Sequence, residues 1–329
     1  MSQSIKDVAK RAGCSIATVS RVLSGKGYIS EDARKKVEAA VEALGYRPNR
    51  VARNLRERKS RVIGLIVSDI SNPFFSEISR AVERVAMARG FSVLICNTDE
   101  DGEKEGRYLK LMDEEQVAGI LLSPTRANKK PIDPGKLPPM VLIDRKLNEA
   151  SLDAVLIDNE GAARRLTQTL LEGGFRKIAG IFGGENSFTA ALRIQGFKTA
   201  FEGQEERMGA IRQGPAFEAE GVRLMREILA EDPSVDAVVC SSALLATGAY
   251  KALREGGGKK LAEMGFACFD DPSWASFVEP AVTVVRQPAS AMGEAAADLL
   301  LKRIEDGGRP VSEVVLQGEL VERESSARR

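Results

Sequence analysis

Residues 5–55 run IKDVAKRAGCSIATVSRVLSGKGYISEDARKKVEAAVEALGYRPNRVARNL, and the spacing of their apolar positions predicts three short helices. Ser4 offers an acceptor at a helix start and Asp7 a carboxylate three residues on, near the positive end of the helix dipole. Ile5, Val8, Ala9 and Ala12 fall at three- and four-residue spacing, giving the first helix one apolar face, and Gly13 ends it. After the Gly13-Cys14 turn, Ser15 caps a second helix, Ile16 to Leu23. Val19, Val22 and Leu23 form its buried side, and Ile16, Ala17, Thr18, Ser20 and Arg21 lie near its exposed N-terminal half. Ser30 caps a third helix, Glu31 to Leu44, which closes the small core with Ala33, Val37, Ala40, Val41 and Leu44 before Gly45 stops it. Two short helices around a turn containing Gly match the helix-turn-helix unit, whose second helix presents its first turns to base edges in the major groove.

Charge points the same way. Residues 1–61 hold six Lys and nine Arg against six acidic groups, a net of +9, whereas residues 62–329 hold 33 basic and 41 acidic groups, so the overall +1 hides a basic head on an acidic body. Lys and Arg that pair with phosphates release condensed counterions, so a polyanion, with nucleic acid first, is the expected partner of the head.

This stretch, nearly position for position, resembles the DNA-binding headpiece of the lac repressor/galactose repressor family of bacterial transcription regulators. The resemblance implies that residues 1–45 are a helix-turn-helix domain, 46–61 a hinge helix and linker, and 62–329 an effector-binding and dimerisation domain. Pro48 suits the first turn of Asn49 to Arg56, a stretch too short to hold a helix alone in water. It is expected to become helical on a pseudo-palindromic double-stranded operator, and the resemblance implies Leu55 as an apolar wedge in the minor groove. Ile16, Ala17 and Arg21 are expected to discriminate bases, the first two through methyl contacts and Arg21 by seeking guanine. Thr18, Ser20, Arg21, Asn49 and Arg50 are placed for phosphates or backbone, and Tyr28, Ala52 and Arg53 complete the DNA-contact set.

The body reads as alternating strands and helices. Apolar runs at 62–67, 91–96, 118–123, 141–144 and 154–158 form one series; runs at 178–182, 237–240, 265–269 and 282–285 form a second. Continuous apolar strands interleaved with helices imply parallel sheets covered on both faces, and two series imply two lobes. Roughly 265 residues suffice for two cores. The expected fold is therefore an all-α headpiece plus an α/β body of two doubly wound parallel-sheet lobes, which the resemblance makes periplasmic-binding-protein-like. With three crossings, the first lobe spans about 62–157 and 289–316, and the second about 158–288 and 317–325.

Open parallel sheets bind ligands beyond the carboxyl ends of their strands. There Asn72, Phe74 and Phe75 follow the first strand, the two aromatics expected to be exposed for stacking, and Asp144 and Arg145 follow the fourth. The resemblance implies effector-binding roles for Thr189, Arg193, Phe217, Ser242 and Asp270, with Trp274 one turn beyond. Taken separately, each has a plainer alternative: Arg193 in a surface ion pair, Asp270 as a helix cap, and Phe217 and Trp274 as packing. Aromatics with Arg and Asp in one cleft suit a polyhydroxylated ligand, a sugar or sugar acid; a purine or a protein coeffector is the alternative within the family. Ser242 and Ala243 stand where the family commonly has Asn and Asp, which removes one hydrogen-bonding arm and a charge.

Histidine is absent from the chain. Triads of the usual kind, imidazole switches and common zinc sites are thereby excluded. Cys14, Cys96, Cys240 and Cys268 lack paired spacing and read as buried thiols of a reducing compartment. GGEN at 183–186 and GGG at 256–258 lack the endings of nucleotide loops. No cofactor, metal or catalytic residue is expected. Without an apolar leader or an apolar run of about 18 residues, a cytoplasmic protein is expected. A transported-solute receptor would have no use for residues 1–60, and an α/β enzyme would need a nucleophile, metal or cofactor loop. The reading is a ligand-controlled DNA-binding regulator, a repressor of carbohydrate catabolic genes acting as a homodimer, because a two-fold dimer doubles the contacts of one headpiece.

Overall fold

The computed structural model describes residues 4–24, 29–46, 60–125, 132–147, 151–256 and 263–328. The chain divides into two compact units, Met1–Ser60 and Arg61–Arg329.

In the first unit, α1 spans Ile5–Ala12, α2 Ile16–Ser24 and α3 Glu31–Leu44. The Ser4 amide and hydroxyl both donate to Asp7 Oδ2, at 2.8 and 2.6 Å, and these bonds hold the Asp7 carboxyl below its usual range. Gly13 and Gly45 end α1 and α3 at φ 63° and 56°, a left-handed backbone that favours glycine. Val8, Ala9, Ala12, Val19, Val37 and Ala40 are buried together, with Ile5, Val22, Leu23, Val41 and Leu44 packed around them.

The second unit holds two six-stranded sheets. The first contains β1 (Val62–Val67), β2 (Ser92–Asn97), β3 (Gly119–Leu122), β4 (Met140–Ile143), β5 (Asp153–Ile157) and β11 (Glu313–Leu316), in the order β11-β5-β4-β3-β1-β2 and all parallel. The second contains β6 (Ile178–Phe182), β7 (Met208–Gln213), β8 (Ala237–Cys240), β9 (Gly265–Phe269), β10 (Thr283–Arg286) and β12 (Glu319–Val321), in the corresponding order β12-β10-β9-β8-β6-β7. The chain passes between sheets after β5, after β10 and between β11 and β12. Central strands such as β3, β4, β6 and β9 are buried at every residue, as strands covered on both faces must be.

Two features depart from the sequence expectation. β12 runs antiparallel to β10, so the second sheet is mixed. β7 was not foreseen: MGAIRQ lacks an apolar run because an edge strand, half-buried along its length, needs none.

Helices Glu218–Glu231 and Ala243–Glu255 approach closely at Gly221 and Gly248. A Cβ on Gly248 would lie 1.9 Å from the Glu218 carbonyl oxygen. Helix Ala289–Glu305 returns to the first sheet and is tied there by Arg303, whose Nε and Nη2 donate to the buried Asp153 carboxylate at 2.8 and 3.0 Å. Asp153 also accepts from the Ser312 amide at 2.7 Å, joining β5, this helix and the approach to β11.

Candidate functional site

On α2, the Ser15 hydroxyl accepts from the Thr18 amide at 3.1 Å, so the helix begins at Ile16 and turns its first residues outward. Ile16 is 43% exposed, Ala17 and Arg21 are exposed, and Thr18 and Ser20 are half-buried. Tyr28, Asn49, Arg50, Ala52, Arg53 and Leu55, with the expected hinge helix, lie outside the described residues.

In the body, a cleft of about 310 Å³ opens beyond the carboxyl ends of both sheets. It brings together Asn72, Phe74, Phe75, Arg145, Thr189, Arg193, Phe217, Ser242 and Asp270. Trp274 is not brought there: its ring packs 5.0 Å from that of Tyr250 and its indole N–H donates to Thr247 Oγ1 at 3.0 Å, so it serves the second lobe's core.

The two lobes mirror each other at the cleft. Asp144 follows β4 and Asp270 follows β9, and both take left-handed backbone, φ 69° and 68°. Their amides donate to Val155 and Val285 of the next strand at the same 2.9 Å. Such strain in non-glycine residues persists only where the surroundings over-determine it, characteristically at functional sites.

Arg193 lies on helix Phe188–Thr199 and is 6% exposed, which rules out a surface ion pair. Its Nε donates to Asn159 Oδ1 at 2.7 Å, Nη1 to the Ser241 carbonyl, and Nη2 to Gln287 Oε1 at 3.2 Å, with the guanidinium 4.0 Å above the Phe269 ring. Burial pushes its pKa down, while Asp270 and Asp144 oppose the shift. Asp270 accepts from the Ala243 amide at 3.0 Å, at the start of helix Ala243–Glu255, and from Gln287 Nε2 at 2.6 Å. It is therefore both a helix cap and a cleft wall. Ser242 caps the same helix by accepting from the Leu245 amide at 3.4 Å.

In the first lobe, Asn72 caps helix Pro73–Ala88 through the Phe74 amide. The expectation of two exposed aromatics is corrected here. Phe74 and Phe75 are 7% and 3% exposed, packed edge-to-face in the lobe's core, and they reach the cleft only as its wall. The exposed ring is Phe217, 60% accessible at the mouth. Arg145 donates through Nη1 and Nη2 to the two oxygens of Glu100 at 2.7 and 2.6 Å. Burial works against its charge, but Glu100 and Asp144 hold it above its usual range. Burial pushes the Asp144 carboxyl up, against the pull of Arg145 and Arg193.

Sequence reasoning missed Glu100, Asn159, Ser241 and Gln287. Each stands just past a strand end, the signal that flagged Asn72, Asp144 and Arg145. Among the described residues no group of three or more His, Cys, Asp or Glu could hold a metal, and no helix is long and apolar enough to cross a membrane.

Residues 4–49 match bacterial regulatory proteins of the lacI family, and residues 60–323 match the periplasmic binding proteins and sugar binding domain of that family. The ribose operon repressor of Halalkalibacterium halodurans is 38% identical over 301 residues, 92% of this chain and 90% of the relative. The lac repressor dimer bound to operator and the anti-inducer ONPF is 25% identical with a TM-score of 0.87, covering 99% of this chain and 100% of that one. The transcriptional regulator CelR in complex with cellobiose is 30% identical with a TM-score of 0.70, over 98% and 99% of the two chains. A lacI-type head and a periplasmic-binding-protein-like body thus recur together, and the chain belongs to the lacI family of bacterial regulatory proteins, ligand-responsive transcriptional regulators that bind DNA.

Proposed function

We propose that this regulator is a cytoplasmic homodimeric repressor of carbohydrate catabolic genes, and that a sugar in the inter-lobe cleft sets its grip on a pseudo-palindromic operator. The observation that carries the reading is the Arg193 network. Asn159 and Gln287, two of its three acceptors, lie where the chain passes between the lobes after β5 and β10. A ligand hydroxyl that meets a spare guanidinium N–H therefore touches the segments about which the lobes turn. A ligand shifts the equilibrium only by binding the two lobe arrangements unequally, and this network supplies such a difference.

The effector set is Asn72, Phe74, Phe75, Arg145, Thr189, Arg193, Phe217, Ser242 and Asp270, extended by Gln287. Phe217 closes over the apolar face of the sugar, and Asp270 and Arg193 take its hydroxyls. At the head, Ile16, Ala17 and Arg21 read bases while Thr18 and Ser20 meet the backbone. A repressor of sugar catabolism is favoured by the 38% identity to a ribose operon repressor. The test is selection of bound duplexes from random DNA, followed by operator titration with a panel of sugars. An enriched two-fold motif whose affinity changes at least tenfold with a sugar is expected; no enriched motif refutes the DNA reading, and an operator indifferent to every sugar refutes the effector reading.

A further inference from the structure

We propose that Glu100 is a specificity-determining residue that neutralises Arg145 and so makes the cleft select uncharged polyhydroxy ligands over sugar acids and phosphorylated sugars. This deepens the sugar reading above and rests on it. Arg145 and Arg193 are the cations lining the cleft among the described residues, against the carboxylates of Asp69, Glu100, Asp144, Glu185 and Asp270. An incoming carboxylate would need one of those guanidinium groups, since planar bidentate pairing is how arginine takes such a group.

Arg145 already has that partner. Glu100 occupies its fork with both oxygens, Nη1 also points to the Pro124 carbonyl at 3.4 Å, and Nε faces Asp144 Oδ2 at 3.3 Å. Arg193 is committed to three neutral acceptors, and its charge is countered by Asp270 and Asp144. An anion entering the cleft thus meets like charge with no unmatched cation, whereas a hydroxyl needs only one N–H or one lone pair.

The position of Glu100 is built. Asp99 and Glu100 are consecutive non-glycine residues in left-handed backbone, φ 52° and 59°. The Glu100 amide donates to the Ser68 carbonyl at 3.1 Å, and its own carbonyl accepts from Thr125 Oγ1 at 3.2 Å. Two strained residues held by two neighbouring strand ends place one carboxylate on one guanidinium, as expected where strain serves a site. Its side chain remains half exposed, so the lobe does not depend on it for its core.

The experiment measures dissociation constants of the full chain by calorimetry for D-ribose, D-xylose and D-glucose, their aldonates, and D-ribose 5-phosphate, in the wild type, Glu100→Gln and Glu185→Gln. The wild type should favour an aldose over its aldonate at least tenfold. Glu100→Gln should narrow that ratio at least tenfold, chiefly by gaining the aldonate, while Glu185→Gln, which removes a cleft carboxylate with no arginine partner among the described residues, should change it much less. A wild type that prefers an aldonate or the phosphate overturns the proposal. So does an aldose response whose ratio is unmoved by Glu100→Gln or moved equally by Glu185→Gln, and in that case the sugar reading stands. No response to any of the seven compounds in any variant overturns both.

Discussion

Replacing Arg193 with lysine keeps the charge and removes the fork, which separates the two things this residue does. The guanidinium donates to Asn159, the Ser241 carbonyl and Gln287 from three different nitrogens in one plane. An ammonium on a flexible stem reaches one of these well. Hydrogen bonds from a charged donor contribute about 1.5–3 kcal/mol each. Losing two of three would cost about 3–6 kcal/mol, and water entering from the open cleft re-satisfies the abandoned oxygens and keeps the loss near the lower end. With roughly 2–4 °C per kcal/mol for a body of this size, the melting temperature of Arg193→Lys should fall by about 6–12 °C. Operator binding without ligand should survive, because α2 is untouched, while the sugar-induced change in operator affinity should flatten, because Asn159 and Gln287 are no longer joined. Thermal melts and operator titrations with and without sugar read both effects. A variant that melts within about 2 °C of the wild type and responds at the same sugar concentration would refute the reasoning.

Arg21→Ala should weaken operator binding by about 1–3 kcal/mol and relax one base position, read by competition among operator variants; a loss spread evenly over all sequences would mean that Arg21 meets only phosphate. Asp153→Ala removes the counter-charge of Arg303, which keeps only carbonyl acceptors, and leaves the Ser312 amide without its acceptor; it should cost about 3–5 kcal/mol in urea denaturation. Gly248→Ala drives a Cβ into the Glu218 carbonyl and should cost at least about 1–3 kcal/mol, so a melt equal to wild type would show that the two helices part freely. Burial raises the Asp271 carboxyl, but hydrogen bonds from Arg323 and Arg286 outweigh it and hold the group below 3.8. Its folded value is the depressed one, so its stabilisation is complete above 3.8 and is lost as pH falls through the folded value. The stability gap between wild type and Asp271→Asn should accordingly hold steady above pH 3.8 and shrink as the pH is taken below it.

What could be read from the sequence was whatever depends on local pattern. The caps Ser4, Ser15 and Ser30 and the stops Gly13 and Gly45 act within a turn of themselves, and the central strands carry uninterrupted apolar runs because both faces are covered. Strand-end position likewise brought Asn72 and Arg145 into view, and the family resemblance brought Asp270. What could not be read was direction. Phe74 and Phe75 begin a helix, yet both rings turn into the core, because Asn72 caps that helix and the helix packs on the first sheet beside helix Ala289–Glu305. Trp274 sits four residues from Asp270, but a short 3-10 turn at Ser273–Ser276 aims it at Tyr250. Glu100 and Gln287 acquire meaning only through Arg145 and Asp270, partners 45 and 17 residues away in the chain.

The cleft joins charge selection and coupling in one set of side chains. Gln287 accepts from Arg193 and donates to Asp270, and it stands immediately after β10, where the chain leaves the second sheet for helix Ala289–Glu305. That helix is fixed to the first sheet by Arg303 and Asp153. A ligand that draws Asp270 or Arg193 toward itself therefore pulls on Gln287, and the strain passes into a helix that cannot slide without breaking a buried ion pair. The other crossing, at Asn159, is held by the same guanidinium. A ligand that binds one arrangement of these hydrogen bonds better than another would shift the balance between lobe arrangements, which is the coupling we propose.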